Sequence, residues 1–166
     1  VRSAIDAGVT LLDTAQAYRS SESTLGKALE EGYRDRCFLA TKVSGDYSAA
    51  GIRAAMDASL KALDVDYVDL YQVHSWRGAD YPIEATMEAM SQLQQQGKTR
   101  YIGVSNYSGT ELMEALWAQD KNGYSRFDAV QPRYNLLYRE AERELFPACL
   151  DQGVGAIVYS PQAGGF

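Results

Sequence analysis

Val9-Thr10-Leu11-Leu12-Asp13-Thr14-Ala15-Gln16-Ala17-Tyr18 is the stretch on which the reading of this chain turns. Its first four residues form a short apolar run with the length and β-branching of a buried strand, so Asp13 falls where that strand runs out. A carboxylate there is costly unless it is paired. Two more titratable residues stand at the same place on later apolar runs. Lys42 closes Phe38-Leu39-Ala40-Thr41, and His74 closes Tyr67-Val68-Asp69-Leu70-Tyr71-Gln72-Val73. Asp13, Tyr18, Lys42 and His74 are four groups that one proton-transfer site could hold.

Outward from that stretch, strands and helices alternate. Residues 1–7 read as the tail of a helix with Gly8 in the C-cap role. After Tyr18, Leu25, Ala28, Leu29 and Gly32 fall at i, i+3, i+4 and i+7, which predicts a helix, and a strand follows over 38–41. Ile52, Ala55, Met56, Ser59, Leu60 and Leu63 form one helical face. A strand over 67–73 leads through Gly78 and Pro82 to a helix carrying Ile83, Met87, Met90 and Leu93, stopped at Gly97. A strand over 101–104 comes next. Ser108-Gly109-Thr110-Glu111 reads as a capping box opening a helix with Leu112, Ala115 and Leu116 inward, ending near Asn122-Gly123. A strand over 127–130, a loop through Asn135, a helix with Ala141, Leu145, Ala148 and Cys149, and a strand over 156–158 complete six β-then-α steps.

Such alternation implies a parallel sheet, because parallel strands need crossover helices. A doubly wound sheet and a (β/α)8 barrel both satisfy it. The first concentrates its ligand at one switch point, whereas a barrel draws site residues from many strand ends. Here polar chemistry follows nearly every strand: Asp13, Lys42, His74, Ser105 with Asn106, Gln131, and Tyr159 with Ser160. The expected fold is therefore α/β, a parallel (β/α)8 TIM-type barrel present as a fragment of about six β/α units. A complete barrel takes roughly 250 residues, so residues 1–166 are expected to be a single incomplete barrel domain lacking its first and last β/α units. The start at Val1 without an initiator Met, and the end at Gly164-Gly165-Phe166, agree with that expectation.

Composition narrows the function classes. With 46% hydrophobic and 23% charged residues, the chain can bury a sizeable core. A net charge of −6 argues against a nucleic-acid partner, which would demand clustered Lys and Arg. No apolar run reaches the roughly eighteen residues of a membrane span, and no signal peptide is visible, so no membrane partner is expected. The two cysteines, Cys37 and Cys149, have no second Cys or His at ligand spacing, which points to neither metal nor disulfide. They read as buried, reduced thiols of a cytoplasmic protein.

The four titratable groups suit one another chemically. A Tyr hydroxyl is a poor acid, with an ordinary pKa near ~10. An ammonium beside it favours the phenolate, so Lys42 is expected to lower the Tyr18 pKa, with Asp13 keeping Lys42 charged and aimed. His74 could orient a substrate carbonyl or share the proton. Taken singly, each has a plainer reading: Asp13 as a helix N-cap, Tyr18 as a packing aromatic, Lys42 as a solvated strand end, His74 as a satisfied core residue. Four at successive strand ends favour a site. Trp76, just past His74, could wall a substrate pocket or simply pack on the surface.

Asp13-Thr14-Ala15-x-x-Tyr18, the Thr41-Lys42 strand end, Asp69-Leu70-Tyr71-x-x-His74, Gly103-Val104-Ser105-Asn106, Gln131 and Tyr159-Ser160-Pro161 together resemble the aldo-keto reductase family, in order and over nearly the whole chain. The resemblance implies a barrel that binds NADP, or NAD, without a Rossmann domain and reduces aldehydes or ketones to alcohols by hydride transfer. No Gly-x-Gly-x-x-Gly or Walker sequence occurs here. It assigns Tyr18 as general acid, Lys42 and Asp13 as its tuning pair, and His74 as carbonyl orienter. It makes Ser105, Asn106 and Gln131 the contacts of the nicotinamide carboxamide, with Tyr159 stacking on the ring and Ser160 a further cofactor-binding residue. A small-molecule carbonyl substrate is the implied partner. A nucleotide-binding regulatory subunit of the same fold, like the potassium-channel β-subunits of this family, is the alternative. A phosphate-sugar isomerase barrel would want a catalytic Glu and a Gly-rich phosphate loop, and the strand ends offer neither clearly.

Overall fold

The computed structural model describes residues 1–78 and 80–165; Phe166, quoted above as the last residue, lies outside them. Six strands form one wholly parallel sheet in chain order, curled into a half-barrel: β1 (Leu11–Asp13), β2 (Phe38–Val43), β3 (Val68–Val73), β4 (Thr99–Ser105), β5 (Ala129–Gln131) and β6 (Gly155–Ala156). The helices are α1 (Arg2–Asp6), α2 (Ser21–Leu29), α3 (Ala49–Leu63), α4 (Ile83–Gln95), α5 (Gly109–Asn122) and α6 (Leu145–Gln152). Among the described residues, no helix is long and apolar enough to cross a membrane.

Element types follow the sequence reading, while several boundaries move for identifiable reasons. The first strand begins at Leu11 rather than at Val9, because the Val9 N–H is taken by the Ala4 carbonyl at the close of α1 (3.0 Å). The fifth begins at Ala129 rather than at Phe127, whose N–H is capped by the Gln119 amide oxygen (3.2 Å). The helix expected to include Ala141 is broken: Glu140–Glu142 is a separate 3-10 turn and α6 starts at Leu145. Pro147 explains the break, since a proline fits a first helical turn but would clash with the preceding turn of a longer helix. The Ser108 capping box forms as expected, with Ser108 Oγ accepting from Glu111 N–H and the Glu111 carboxylate accepting from Ser108 N–H.

Strand register sorts side chains by face. Asp13 stands against Ala40, Ala40 against Leu70, Lys42 against Gln72, Gln72 against Gly103 and Ser105 against Gln131. These share the inner face, because successive residues of a strand point to opposite sides. Leu39, Val43, Tyr71, Val73, Ile102, Val104 and Val130 point the other way and pack with Ile52, Met56, Leu63, Met87, Leu93 and Leu112 of the helices. Each such buried side chain contributes roughly 1.5–3 kcal/mol. A smaller apolar group, Ala40, Leu70 and Ala129 with Phe38 and Ile157, fills the inner face. Two glycines permit close approaches: a Cβ on Gly103 would lie 2.5 Å from the Ala129 carbonyl oxygen, and one on Gly26 2.7 Å from that of Leu63.

Near the N-terminal end of the strands, Asp69 joins β2, β3 and β4. Its carboxylate accepts from Leu39 N–H (2.9 Å) and pairs with Arg34 (2.9 Å) and Arg100 (3.2 Å). Cys37, just before β2, and Cys149, on α6, are free and buried, and burial pushes both thiols up.

Candidate active site

The parallel arrangement puts every strand's C-terminal end at one mouth, where the inner face turns polar. Lys42 is fully buried there, its Nζ donating to Asp13 Oδ2 (2.6 Å) and to the Thr14 carbonyl (2.9 Å). Burial lowers the Lys42 pKa, and Asp13 only partly restores it. The loop after β1 brings Tyr18 back over the mouth, with Lys42 Nζ 5.3 Å from its ring centroid. The His74 ring meets that of Tyr18 edge-on at 5.6 Å. Asp13, Lys42, Tyr18 and His74 thus form one cluster.

Two expectations about that cluster need correction. Lys42 stands beneath the Tyr18 ring, and among the described residues no hydrogen bond joins its ammonium to the hydroxyl. The Tyr18 pKa is accordingly raised, not lowered: desolvation is the main cause, followed by the Asp13 charge and Tyr159. The ammonium donates to Asp13 and Thr14 instead of to the hydroxyl, so burial of the ring sets the direction of the shift. His74 is pulled below its ordinary value, first by burial and then by the Lys42 charge. Its Nδ1 lies 2.8 Å from Ser44 Oγ. Ser44 went unnoticed in the sequence, although its position two residues beyond Lys42 puts it on the same side of the strand end.

The remaining candidates form the other rim. Asn106, in the left-handed region at φ 56°, links three strand ends: its amide donates to the His74 carbonyl (2.9 Å) and to Ser105 Oγ (3.2 Å), and accepts from the Tyr159 hydroxyl (2.7 Å). Asn tolerates that backbone region better than most residues. Ser105 is buried and donates to the Gln131 carbonyl (2.9 Å). Gln131, expected as a carboxamide contact, donates its side-chain N–H to Asp13 Oδ1 (3.0 Å), while among the described residues its amide oxygen takes no hydrogen bond. Ser160 follows Tyr159 on this rim: its carbonyl accepts from Asn135 (3.0 Å), and its hydroxyl makes no hydrogen bond among the described residues. Trp76 packs edge-on against Tyr107 with ring centroids 5.1 Å apart, half-buried beside the mouth.

A groove of about 700 Å³ opens beside Asn106 and Tyr159, walled by Pro132, Arg133, Tyr138 and Glu144. Among the described residues, no group of three or more His, Cys, Asp or Glu could hold a metal ion. The mouth therefore offers an ammonium–carboxylate pair, a hydroxyl donor, a neutral imidazole and a rim of amides and hydroxyls beside a flat aromatic.

The model of the aldo/keto reductase family matches residues 1–166. Aldo-keto reductase YhdN of Bacillus subtilis (strain 168) is 41% identical over 171 aligned positions, which cover 96% of this chain and 50% of that protein. Among solved structures, an aldo/keto reductase from Klebsiella pneumoniae in complex with NADP and acetate is 35% identical at a TM-score of 0.86, over 98% of this chain and 56% of that one. The holo form of an aldo-keto reductase from Bacillus halodurans is also 35% identical at a TM-score of 0.86, over 99% and 58%. The chain spans about half the length of the curated relative it matches.

Proposed function

The chain belongs to the aldo/keto reductase family, and from that premise we propose that it supplies the catalytic mouth of an NADPH-dependent reductase that converts aldehydes or ketones to alcohols. The observation that supports this most is the Asp13–Lys42 pair set under the Tyr18 ring with the His74 ring edge-on to it. The Klebsiella pneumoniae relative, in complex with NADP, supports the choice of cofactor.

The rim fits the nicotinamide end of such a cofactor. Ser105, Asn106 and the unoccupied amide oxygen of Gln131 are donors and acceptors of the kind a carboxamide needs, and the Tyr159 ring is a flat surface on which a nicotinamide can stack. When bound, the reduced nicotinamide supplies the hydride. His74 presents its Nε2 edge to the carbonyl oxygen and fixes its direction. Tyr18 gives its hydroxyl proton to that oxygen as negative charge develops there. The Lys42 ammonium, held in place by Asp13, stabilises the phenolate that remains, and solvent reprotonates it for the next turnover. The Ser160 hydroxyl, next to Tyr159, is a further polar group for the cofactor.

Loss of NADPH absorbance in the full-length protein against a panel of aldehydes tests the reading. Consumption that depends on the aldehyde supports it. NADPH binding without turnover of any aldehyde or ketone would favour a regulatory subunit.

A further inference from the structure

We propose that Gln131 is a positioning residue that ties cofactor docking to the Asp13–Lys42 pair, an inference that rests on the reductase reading above. The Asp13 carboxylate is held from two sides: Oδ2 by Lys42 at 2.6 Å and Oδ1 by the Gln131 amide at 3.0 Å. The second bond runs across the mouth from β5 to β1, between residues 118 apart in sequence. Gln131 is nearly fully buried, and its own carbonyl is fixed by Ser105 Oγ (2.9 Å) and Asn106 N–H (3.1 Å), so its side chain starts from a rigid base.

An amide has two ends, one donating and one accepting. In Gln131 the donating end is committed to Asp13, and among the described residues the accepting end takes no hydrogen bond, which leaves it for the N–H groups of a nicotinamide carboxamide. A carboxamide docked there orders the Gln131 side chain and thereby the carboxylate that holds Lys42. The Gln131 hydrogen bond also draws down the charge that Asp13 projects onto Tyr18. The titratable groups around this centre are Asp13 on β1, Tyr18 in the following loop, Lys42 on β2, His74 after β3 and Tyr159 after β6. Among the described residues, Asp13 is the one of them that is hydrogen-bonded to the Gln131 side chain.

The test uses the full-length enzyme and compares Gln131→Met, which removes both amide ends at similar volume, with Asn106→Gly, which strips an amide from the rim, suits the left-handed backbone there and keeps the N–H that holds the Gln131 carbonyl. Gln131→Met is expected to lower kcat about tenfold or more, the effect of losing a hydrogen bond to a charged group. It should also move the alkaline limb of the pH–rate profile upward by on the order of half a unit, because Asp13 then raises Tyr18 further. Asn106→Gly is expected to weaken NADPH binding with that limb unmoved. A Gln131→Met enzyme that binds NADPH more weakly but keeps its kcat and its pH limb would overturn the proposal and leave Gln131 as a carboxamide contact alone. If the parent reduces no carbonyl, the reductase reading fails separately. The Tyr18 titration in cofactor-free protein, followed by ¹³Cζ-tyrosine NMR, still decides the Gln131 link: displaced upward in Gln131→Met it stands, and unmoved it falls.

Discussion

Tyr18 carries the proton in the proposed reaction, yet burial and Asp13 make it a weaker acid in the ligand-free site than phenol ordinarily is. The sign of the pH dependence follows. Reduction needs the protonated hydroxyl, which is fully present below the Tyr18 pKa and lost as pH rises through it, so the alkaline limb of kcat/KM should lie above 10.0. His74 is needed neutral and its pKa is depressed, so the acid limb should lie below 6.5. A pH–rate profile with a broad plateau between these limits is expected; a limb centred within it would contradict the assignments. Tyr18→Phe should reduce turnover about 10²- to 10⁴-fold with cofactor affinity kept, the usual range for removing a positioned acid. Ser44 adds a subtler test. Its hydroxyl lies 2.8 Å from His74 Nδ1, and the proposed reaction needs it to donate there, which leaves Nε2–H for the carbonyl. Ser44→Ala should cost about fivefold to tenfold in kcat/KM and Ser44→Thr much less, and equal values in parent and Ala variant would remove Ser44 from the site. The types and places of Asp13, Lys42, Tyr18 and His74 were legible because strand ends in a parallel sheet meet. The partner of Gln131 was not, because a bond across the mouth between residues so distant leaves no periodicity or spacing to read.

Among the elements, the helices were the most readable, since Ile52, Met56 and Leu63 or Leu112 and Leu116 mark their buried faces by spacing alone. Strand ends were harder: where a strand stops depends on which neighbour takes its N–H groups, as Ala4 does for Val9 and Gln119 for Phe127. The Asp69 link between β2, β3 and β4 was equally hidden, because Arg34 and Arg100 lie on other elements. Asp69→Ala should destabilise the full-length protein by roughly 3 kcal/mol, since it strips a buried carboxylate from its partners, while leaving the mouth intact. Urea unfolding with NADPH affinity measured alongside checks both halves of that statement. A stability change within experimental error would show that Arg34 and Arg100 find equivalent partners in water.

For the whole molecule, the barrel curvature could be inferred only indirectly, from polar residues after nearly every strand rather than at one switch point, and the sheet order β1 to β6 agrees with it. The two outer strands, β1 and β6, each pair on one side only among the described residues. Expressed as an isolated 166-residue segment, the chain should therefore aggregate or melt broadly, because unpaired parallel edges invite association; a sharp cooperative melt of a monomer would contradict this. The buried thiols give that expectation spatial detail. Cys37 lies beside the β1 edge and Cys149 on the helix that leads into β6, and neither is reactive while buried. Alkylation of each by iodoacetamide is thus a clock for the fraying of its own end of the sheet. Two unequal labelling rates would reveal which edge opens first, and a single shared rate would mean that the half-barrel comes apart as one piece.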